Sequence, residues 1–323
     1  MPLSKKELAI AFIQKHPGLP SRTLARMMYR DRRSIFPTED AACQSIRYAR
    51  GTHGKNKRHL GTFQTLAVLP EPEVFDYTPH FLDGASRILI LSDVHIPFHD
   101  KTALETAIAE GVRRKCDTVL LNGDLMDCYQ LSRFDRAPSE AALKTEINGM
   151  NQFLRYLRRK FPEAEFVWKL GNHEDRLSHF LKSKAPELYG IGVDDFIFGK
   201  LTGAEDVGAT IISDKRIIVS GHLKILHGHE YKAGFAEPVN PARGLFLRAK
   251  TTCMAGHWHQ PSQHTEPILG GKHISTWSTG CLCQLSPLYM PLNKWRHGFA
   301  IQEVRSDGHF KLHNLTIIDG ELV

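Results

Sequence analysis

The chain has 323 residues, 41% hydrophobic and 24% charged, which is the composition of a water-soluble globular protein with room for one large domain and one small one. No run approaches the roughly 20 apolar residues needed to span a bilayer. The charged, proline-containing start MPLSKKELAIAFIQKHPG is unlike a signal peptide, so a cytoplasmic setting is expected. Six cysteines without CxxC spacing argue against a zinc ribbon and fit buried thiols in a reducing compartment. Net charge is +7, but residues 1–60 hold 13 Lys and Arg against 4 Asp and Glu, a local +9 that leaves −2 for the remainder. That asymmetry points to a polyanion partner for the first segment.

Within residues 1–60, Ser4 and Glu7 have capping-box spacing ahead of a helix carrying Leu8, Ile10, Ala11 and Ile13, and Pro17-Gly18 stops it. Ser21 is placed to cap a second helix (TLARMMY) and Thr38 a third (EDAACQSIRYAR), with Gly51 past its end. Three short helices in a basic segment suggest a small all-α, helix-turn-helix-like module. Gln44, Arg47 and Arg50 on the third helix are then the candidate nucleic-acid contacts, DNA being the expected partner. The alternative is a helical bundle with a solvated basic face. Residues 61–86 lack periodicity and are expected to form a linker.

From 87 to 323 the pattern changes. RILILS, DTVLLN and EFVWKL are short apolar runs that alternate with the amphipathic stretches TALETAIAEGVRRK and AALKTEINGMNQFLRYLRRK, predicting βαβ units and a parallel sheet. RIIVSGHLKILHG, KTTCMAG, HISTWST, GFAIQEV and HFKLHNLTII are strands with short turns, expected to build a second, mixed sheet. Two sheets between helices make an α/β sandwich.

Each early strand runs into a polar cluster: Asp93-Val-His95, Gly123-Asp124-Leu-Met-Asp127, and Gly171-Asn172-His173-Glu174. In parallel sheets such strand ends share one edge, where ligands bind. Later strands supply His227 and the pair His257 and His259. Two aspartates, an asparagine and four histidines exceed one open zinc site and suit two metals, with His173 left over. Asp93 and His95 are two apart, as are His257 and His259, so on an extended backbone each pair points to one side. Glycines 123, 171, 228 and 256 allow sharp turns beside the ions.

The order DxH, GD, GNHE, H, GHWH over residues 87–305 resembles the calcineurin-like metallophosphoesterases. The resemblance implies a four-layer αββα fold, with one metal on Asp93, His95, Asp124 and His259 and a second on Asp124, Asn172, His227 and His257. It further implies that His173 protonates the leaving oxygen and that Asp127 orients it. Two divalent ions are the implied cofactors; Mn is expected, and Zn, Fe, Ni and Co suit the same N/O donors. Cys128-Tyr129 after Asp127, where serine/threonine phosphatases of the family carry Arg-Gly, argues against a protein phosphatase. Phage and bacterial members with a small helical segment are a looser likeness. The expected function is hydrolysis of a phosphodiester, including nucleic acid. The alternatives are a phosphomonoesterase and a non-catalytic DNA-binding protein on the same fold. STGCLCQLSPLYMPLNKW is expected to wall the cleft, and Arg176 either to hold a phosphate or to cap a loop.

Overall fold

The computed structural model describes residues 3–51, 69, 71–74, 77–132, 142–213, 215–231, 239–287 and 289–323. The chain divides into two compact units, Met1–Phe75 and Asp76–Val323.

The first unit holds α1 (Lys5–Lys15), α2 (Ser21–Asp31) and α3 (Glu39–Ala49). Ser4 Oγ accepts from Glu7 N while Glu7 Oε2 accepts from Ser4 N, so two orphan donors of α1 are satisfied reciprocally. Thr38 Oγ1 accepts from Ala41 N at the start of α3. The second helix begins differently from the expectation. Ser21 is its first helical residue, Pro20 stands at the cap, and Ser21 Oγ accepts from Arg50 Nη1 at 2.8 Å instead. Leu8, Leu24, Met28, Phe36 and Ile46 close the core between the helices. Residues 52–68, with the rest of the basic run and the start of the expected linker, lie outside the described residues.

The end of that expected linker belongs to the second unit. His80–Phe81 (β1) pairs with Ile218–Ser220 (β6), and Leu82 is buried. Two residues are too few to reveal strand periodicity in a sequence. The second unit continues with β2 (Arg87–Leu91), α4 (Lys101–Arg113), β3 (Thr118–Asn122), α5 (Leu143–Lys160), β4 (Glu165–Lys169), α6 (Asp175–Lys184), α7 (Pro186–Gly190), α8 (Val193–Phe196) and β5 (Ala209–Ile212). After β6 come β7 (Leu223–Leu226), α9 (Pro241–Ala249), β8 (Cys253–Ala255), β9 (Ser262–Pro267), β10 (His273–Ser278), β11 (His297–Val304), β12 (Phe310–Ile318) and β13 (Glu321–Leu322).

A seven-stranded sheet runs β13-β12-β11-β2-β3-β4-β5, with β2 to β5 parallel, and a six-stranded mixed sheet runs β1-β6-β7-β8-β10-β9. Strand alternation sorts the core into layers. Leu89, Leu91, Val119, Leu121, Phe166 and Trp168 face one way and share a core with Ala107, Leu154 and Leu157 of the helices. Ile88, Ile90, Leu120 and Val167 face the other way and meet Ile218, Ile225, Met254 and Trp277 of the second sheet. On the far side of that sheet Leu245 of α9 packs on Leu226 and Cys253. The result is the four-layer αββα sandwich.

One expectation is corrected. GFAIQEV and HFKLHNLTII, assigned to the second sheet, extend the first. The free edge of β2 takes β11 antiparallel, with Ala300 opposite Ile90, and β12 covers β11. Residues 298–302 are buried throughout, as an interior strand requires. Burial is visible in a sequence, but the identity of the covering sheet is not.

Helix α4 ends on an ion cluster. Glu110, 6% exposed, accepts from Arg113 Nε and Nη2 at 2.6 Å and from Arg114 Nε at 2.7 Å. The Arg113 hydrogen bond, helped by Arg114 and opposed by burial, lowers the Glu110 pKa to about 2 from an ordinary 4.5. Because the folded value is depressed, the stabilisation is complete above 4.5 and is lost as pH falls toward 2. Glu110→Gln is therefore expected to lower the urea midpoint at pH 7, with the deficit shrinking as pH falls from 4.5 to 2.

Candidate metal centre

The loops that follow β2, β3, β4, β7 and β8 converge at one edge of the sandwich. Asp93, His95, Asp124, His257 and His259 all hold positive φ, between 53° and 68°. This corrects the expectation of an extended backbone at the two paired motifs. The side chains meet because the main chain turns left-handed at each donor, a conformation that costs energy and persists where surrounding contacts fix it. Gly171 is needed for close approach, since a Cβ there would overlap Asp124 Oδ1 and crowd Asp124 N. Gly123, at φ +85°, lies against the His227 ring in the same way.

The structure brings the seven expected donors into two groups that share Asp124. Asp93, His95 and Asp124 form one, and Asp124, His227 and His257 the other, each with donor atoms within 4.8 Å of one another. His259 Nε2 joins the first, 3.2 Å from Asp93 Oδ1 and 3.4 Å from His95 Nε2. Asn172 Oδ1 joins the second, 3.2 Å from His227 Nε2, which is itself 3.3 Å from Asp124 Oδ2.

Hydrogen bonds behind the rings decide what the inward atoms are. His227 Nδ1 lies 2.7 Å from Asn122 O, and a carbonyl only accepts, so Nδ1 carries a proton and Nε2 is the ring atom left to face the centre. His95 Nδ1 likewise faces Asp127 Oδ1 at 2.9 Å. Lone pairs on nitrogen, carboxylate and amide oxygen thus face one another in a buried space. Asp93 Oδ1, on a fully buried residue, has the His259 ring nitrogen at 3.2 Å but no well-aligned hydrogen bond among the described residues. Such a locus demands cations. Charge balance shows the same demand. Burial opposes a charged His227, yet Asp124 outweighs it and raises the ring to about 10. His257, with burial and then His227 acting against charge, falls to about 4. The donor set therefore fits two divalent ions, with Asp93, His95, Asp124 and His259 around one and Asp124, Asn172, His227 and His257 around the other.

His173 stands beside both groups without joining them. Its Nδ1 lies 3.1 Å from Asp127 Oδ1 and 2.8 Å from Asp127 O, and its Nε2 lies 3.8 Å from Asp124 Oδ2. Burial disfavours the imidazolium, but the Asp124 and Asp127 carboxylates prevail and raise its pKa. Arg176 donates from Nη1 to Asp127 O at 2.9 Å and meets His173 Nε2 through Nη2 at 3.0 Å. Asp127 thus faces His95 as well as His173.

Several supporting residues escape a reading of the sequence. Glu174 is fully buried and accepts from Asp124 N, Leu125 N, Met126 N and Gly171 N at 2.7–3.0 Å. Burial, then the nearby Asp124 charge, pushes Glu174 up to about 7 against the pull of those N–H donors. Buried Lys169, at the end of β4, pairs with Glu230 at 3.0 Å, and Glu230 accepts from His227 N and Gly228 N. Trp295 packs tilted against His259, ring centroids 4.2 Å apart, and Cys283 Sγ lies 3.9 Å from His259 Nδ1, so these two residues of the stretch expected to wall the cleft lie against the centre. Trp258 packs with Leu226 and Leu245. His229 faces Asp175 at 3.5 Å. The available signals were the Glu inside GNHE and the Glu three residues after His227.

The expected nucleic-acid contacts lie in the other unit. Gln44 and Arg47 are exposed on α3 beside Tyr48. Arg50 differs from the expectation: its guanidinium donates to Ser21 Oγ and Leu19 O, tying α3 to the start of α2 and leaving it half-buried.

The αββα fold and the clustered donor set define an α/β sandwich with a candidate metal centre at its loop edge. Residues 86–278 match the family described as Calcineurin-like phosphoesterase, and the chain belongs to that family. Among characterised sequences it is similar to the Gene 54 proteins of Mycobacterium phages L5 and D29, each 27% identical over 248 residues, covering 73% of this chain and 95% of the relative. Similar solved structures include a Vps29 from Entamoeba histolytica (14% identity, 73% of this chain and 96% of that chain, TM-score 0.37). Another is the phosphoesterase Yfce from E. coli (12% identity, 70% and 98%, TM-score 0.32).

Glu174→Gln keeps one carbonyl oxygen and replaces the other by NH₂, so two of the four buried N–H groups lose their acceptor. At about 1–3 kcal/mol for each unsatisfied group, the loss is roughly 2–6 kcal/mol, read as a lower denaturation midpoint.

Proposed function

We propose that this phosphoesterase hydrolyses phosphodiester bonds with two divalent ions held by Asp93, His95, Asp124, Asn172, His227, His257 and His259. The observation that carries the reading is the pair of lone-pair clusters sharing Asp124, with His173 beside them. Ions bound there supply Lewis acidity toward a phosphoryl oxygen and activate water at neutral pH.

The chain's own residues account for the rest. Asp127 holds Nδ1 of His173 and so aims Nε2 at the centre; Nε2 is the atom from which a proton passes to the departing oxygen. In the observed arrangement Nε2 accepts from Arg176. A substrate phosphate that draws the Arg176 guanidinium away leaves Nε2 free to take up a proton from water, which the Asp124 and Asp127 carboxylates favour, and that proton is the one then given to the departing oxygen. Among the described residues Arg176 is the guanidinium in contact with His173, and its single positive charge matches a diester's single negative one. A monoester carries about −1.5 to −2 near neutral pH. The metal is proposed to be Mn, although the donors also suit Zn, Fe, Ni and Co. Nucleic acid is the proposed source of the diester, with the +9 segment 1–60 adding affinity through its exposed α3 face.

A substrate panel with Mn²⁺ tests the reaction. Bis-p-nitrophenyl phosphate is expected to be cleaved in preference to p-nitrophenyl phosphate, chelation to abolish turnover, and Mn²⁺ to restore it; full activity of verified metal-free protein refutes the reading. Asp124→Asn is expected to lose both ions by elemental analysis. His173→Ala should keep them and slow substrates with poor leaving groups about 10²–10⁴-fold, with less effect on a nitrophenolate that leaves unprotonated.

The role of the first unit has its own test. Deleting residues 1–60 should weaken DNA binding and flatten the dependence of log K on log salt, whose slope is about −0.9 per phosphate neutralised. An unchanged slope assigns the basic face to something other than DNA.

A further inference from the structure

From Asn172 and Arg176 a cleft of about 1200 Å³ continues past the centre along α6 toward α7 and α8. It exceeds the roughly 300–1,000 Å³ typical of small-molecule sites. A single phosphodiester fills only its mouth. The remainder is lined in part by Phe180, Lys182, Lys184 and Tyr189. Phe180 is 43% exposed and Tyr189 36%, which is unusual for two large rings sharing one concavity. Lys182 Nζ stands 4.5 Å from the Tyr189 ring centroid. Neither Lys182 nor Lys184 pairs with a carboxylate among the described residues, whereas two of the cleft's three carboxylates are engaged, Asp175 with Lys215 at 3.1 Å and Asp194 with Ser178 at 2.6 Å; Asp195 is the third.

Two solvent-facing rings and two ammonium groups without carboxylate partners, one of them resting on a face of Tyr189, match the needs of one kind of ligand. A single strand of nucleic acid offers flat base faces to aromatic rings and a row of phosphates to cations. A duplex hides its base faces within the stack, and a simple diester reaches neither set. Resting on the diesterase reading above, we propose that this cleft is the track of a single-stranded nucleic acid. The scissile phosphate sits at the Asn172 and Arg176 end. Beyond it, Lys182 and Lys184 meet backbone phosphates while Phe180 and Tyr189 stack on bases. The site thereby selects single over double strands, independently of residues 1–60.

The test uses the full-length protein with Mn²⁺ and compares kcat/KM for a single-stranded oligonucleotide of about a dozen residues, the same sequence as duplex, and bis-p-nitrophenyl phosphate. Two double variants are measured, Phe180→Ala with Tyr189→Ala, and Lys182→Ser with Lys184→Ser, each checked for an unchanged melting transition. The single strand is expected to be the best substrate. Each variant should lower the ratio of oligonucleotide to chromogenic diester by roughly tenfold or more, chiefly through a raised KM. A ratio unchanged in both variants overturns the proposal, as does equal preference for duplex or competition by poly-glutamate as strong as by the oligonucleotide. Cleavage of the chromogenic diester without any cleavage of the oligonucleotide overturns the track and leaves the diesterase reading standing. Failure on every diester overturns both.

Discussion

Four main-chain N–H groups from two strand-end loops converge on the carboxylate of Glu174. Three come from Asp124–Met126 after β3 and one from Gly171 after β4, so this buried group fixes one loop against the other. The return contact runs from His173 N to Asp124 Oδ1 at 2.9 Å. Asp124, the residue both donor groups share, is thereby held from each side, and its left-handed backbone is sustained by contacts instead of by local preference. An amide or a shorter side chain at 174 would leave N–H groups buried without acceptors. The ordered geometry around Asp124 rests on that satisfaction.

The outer hydrogen bonds serve a different purpose from the loop-fixing ones. Asn122 O and Asp127 each hold the outer nitrogen of an imidazole, which sets the tautomer and turns the bare nitrogen inward. Lys169 and Glu230 add a buried ion pair that positions the main chain at His227. These residues stand behind the inner ring atoms. They determine what the inner atoms are able to bind.

Much of this was legible from residue order. Polar donors placed directly after apolar runs locate the strand ends, and their chemistry announces metal binding. The physical grounds were in part different from those the spacing offered. Asp93 and His95 converge through positive φ and not through strand alternation, because a two-residue interval does not reveal backbone handedness. The sheet that β11 joins is set by the free edge of β2, more than 200 residues earlier in the chain. Arg50 looked available for a phosphate because its partner Leu19 O lies 31 residues away. Glu174 stood in plain view inside GNHE, yet three of its four N–H partners belong to a loop some 50 residues distant. For β11, Arg50 and Glu174 the missing information was long-range pairing.

The seven donors are divided between the sheets. Asp93, His95, Asp124 and Asn172 follow strands of the seven-stranded sheet, and His227, His257 and His259 follow strands of the six-stranded one. Each proposed ion would therefore take ligands from both halves of the sandwich and act as a rivet across the seam. Binding free energy at such a place is also folding free energy. A free ion at 100 times its Kd would add about 2.7 kcal/mol to global stability. The catalytic edge would then also be the clasp that keeps the two sheets from sliding apart, and resistance to unfolding would follow the supply of metal.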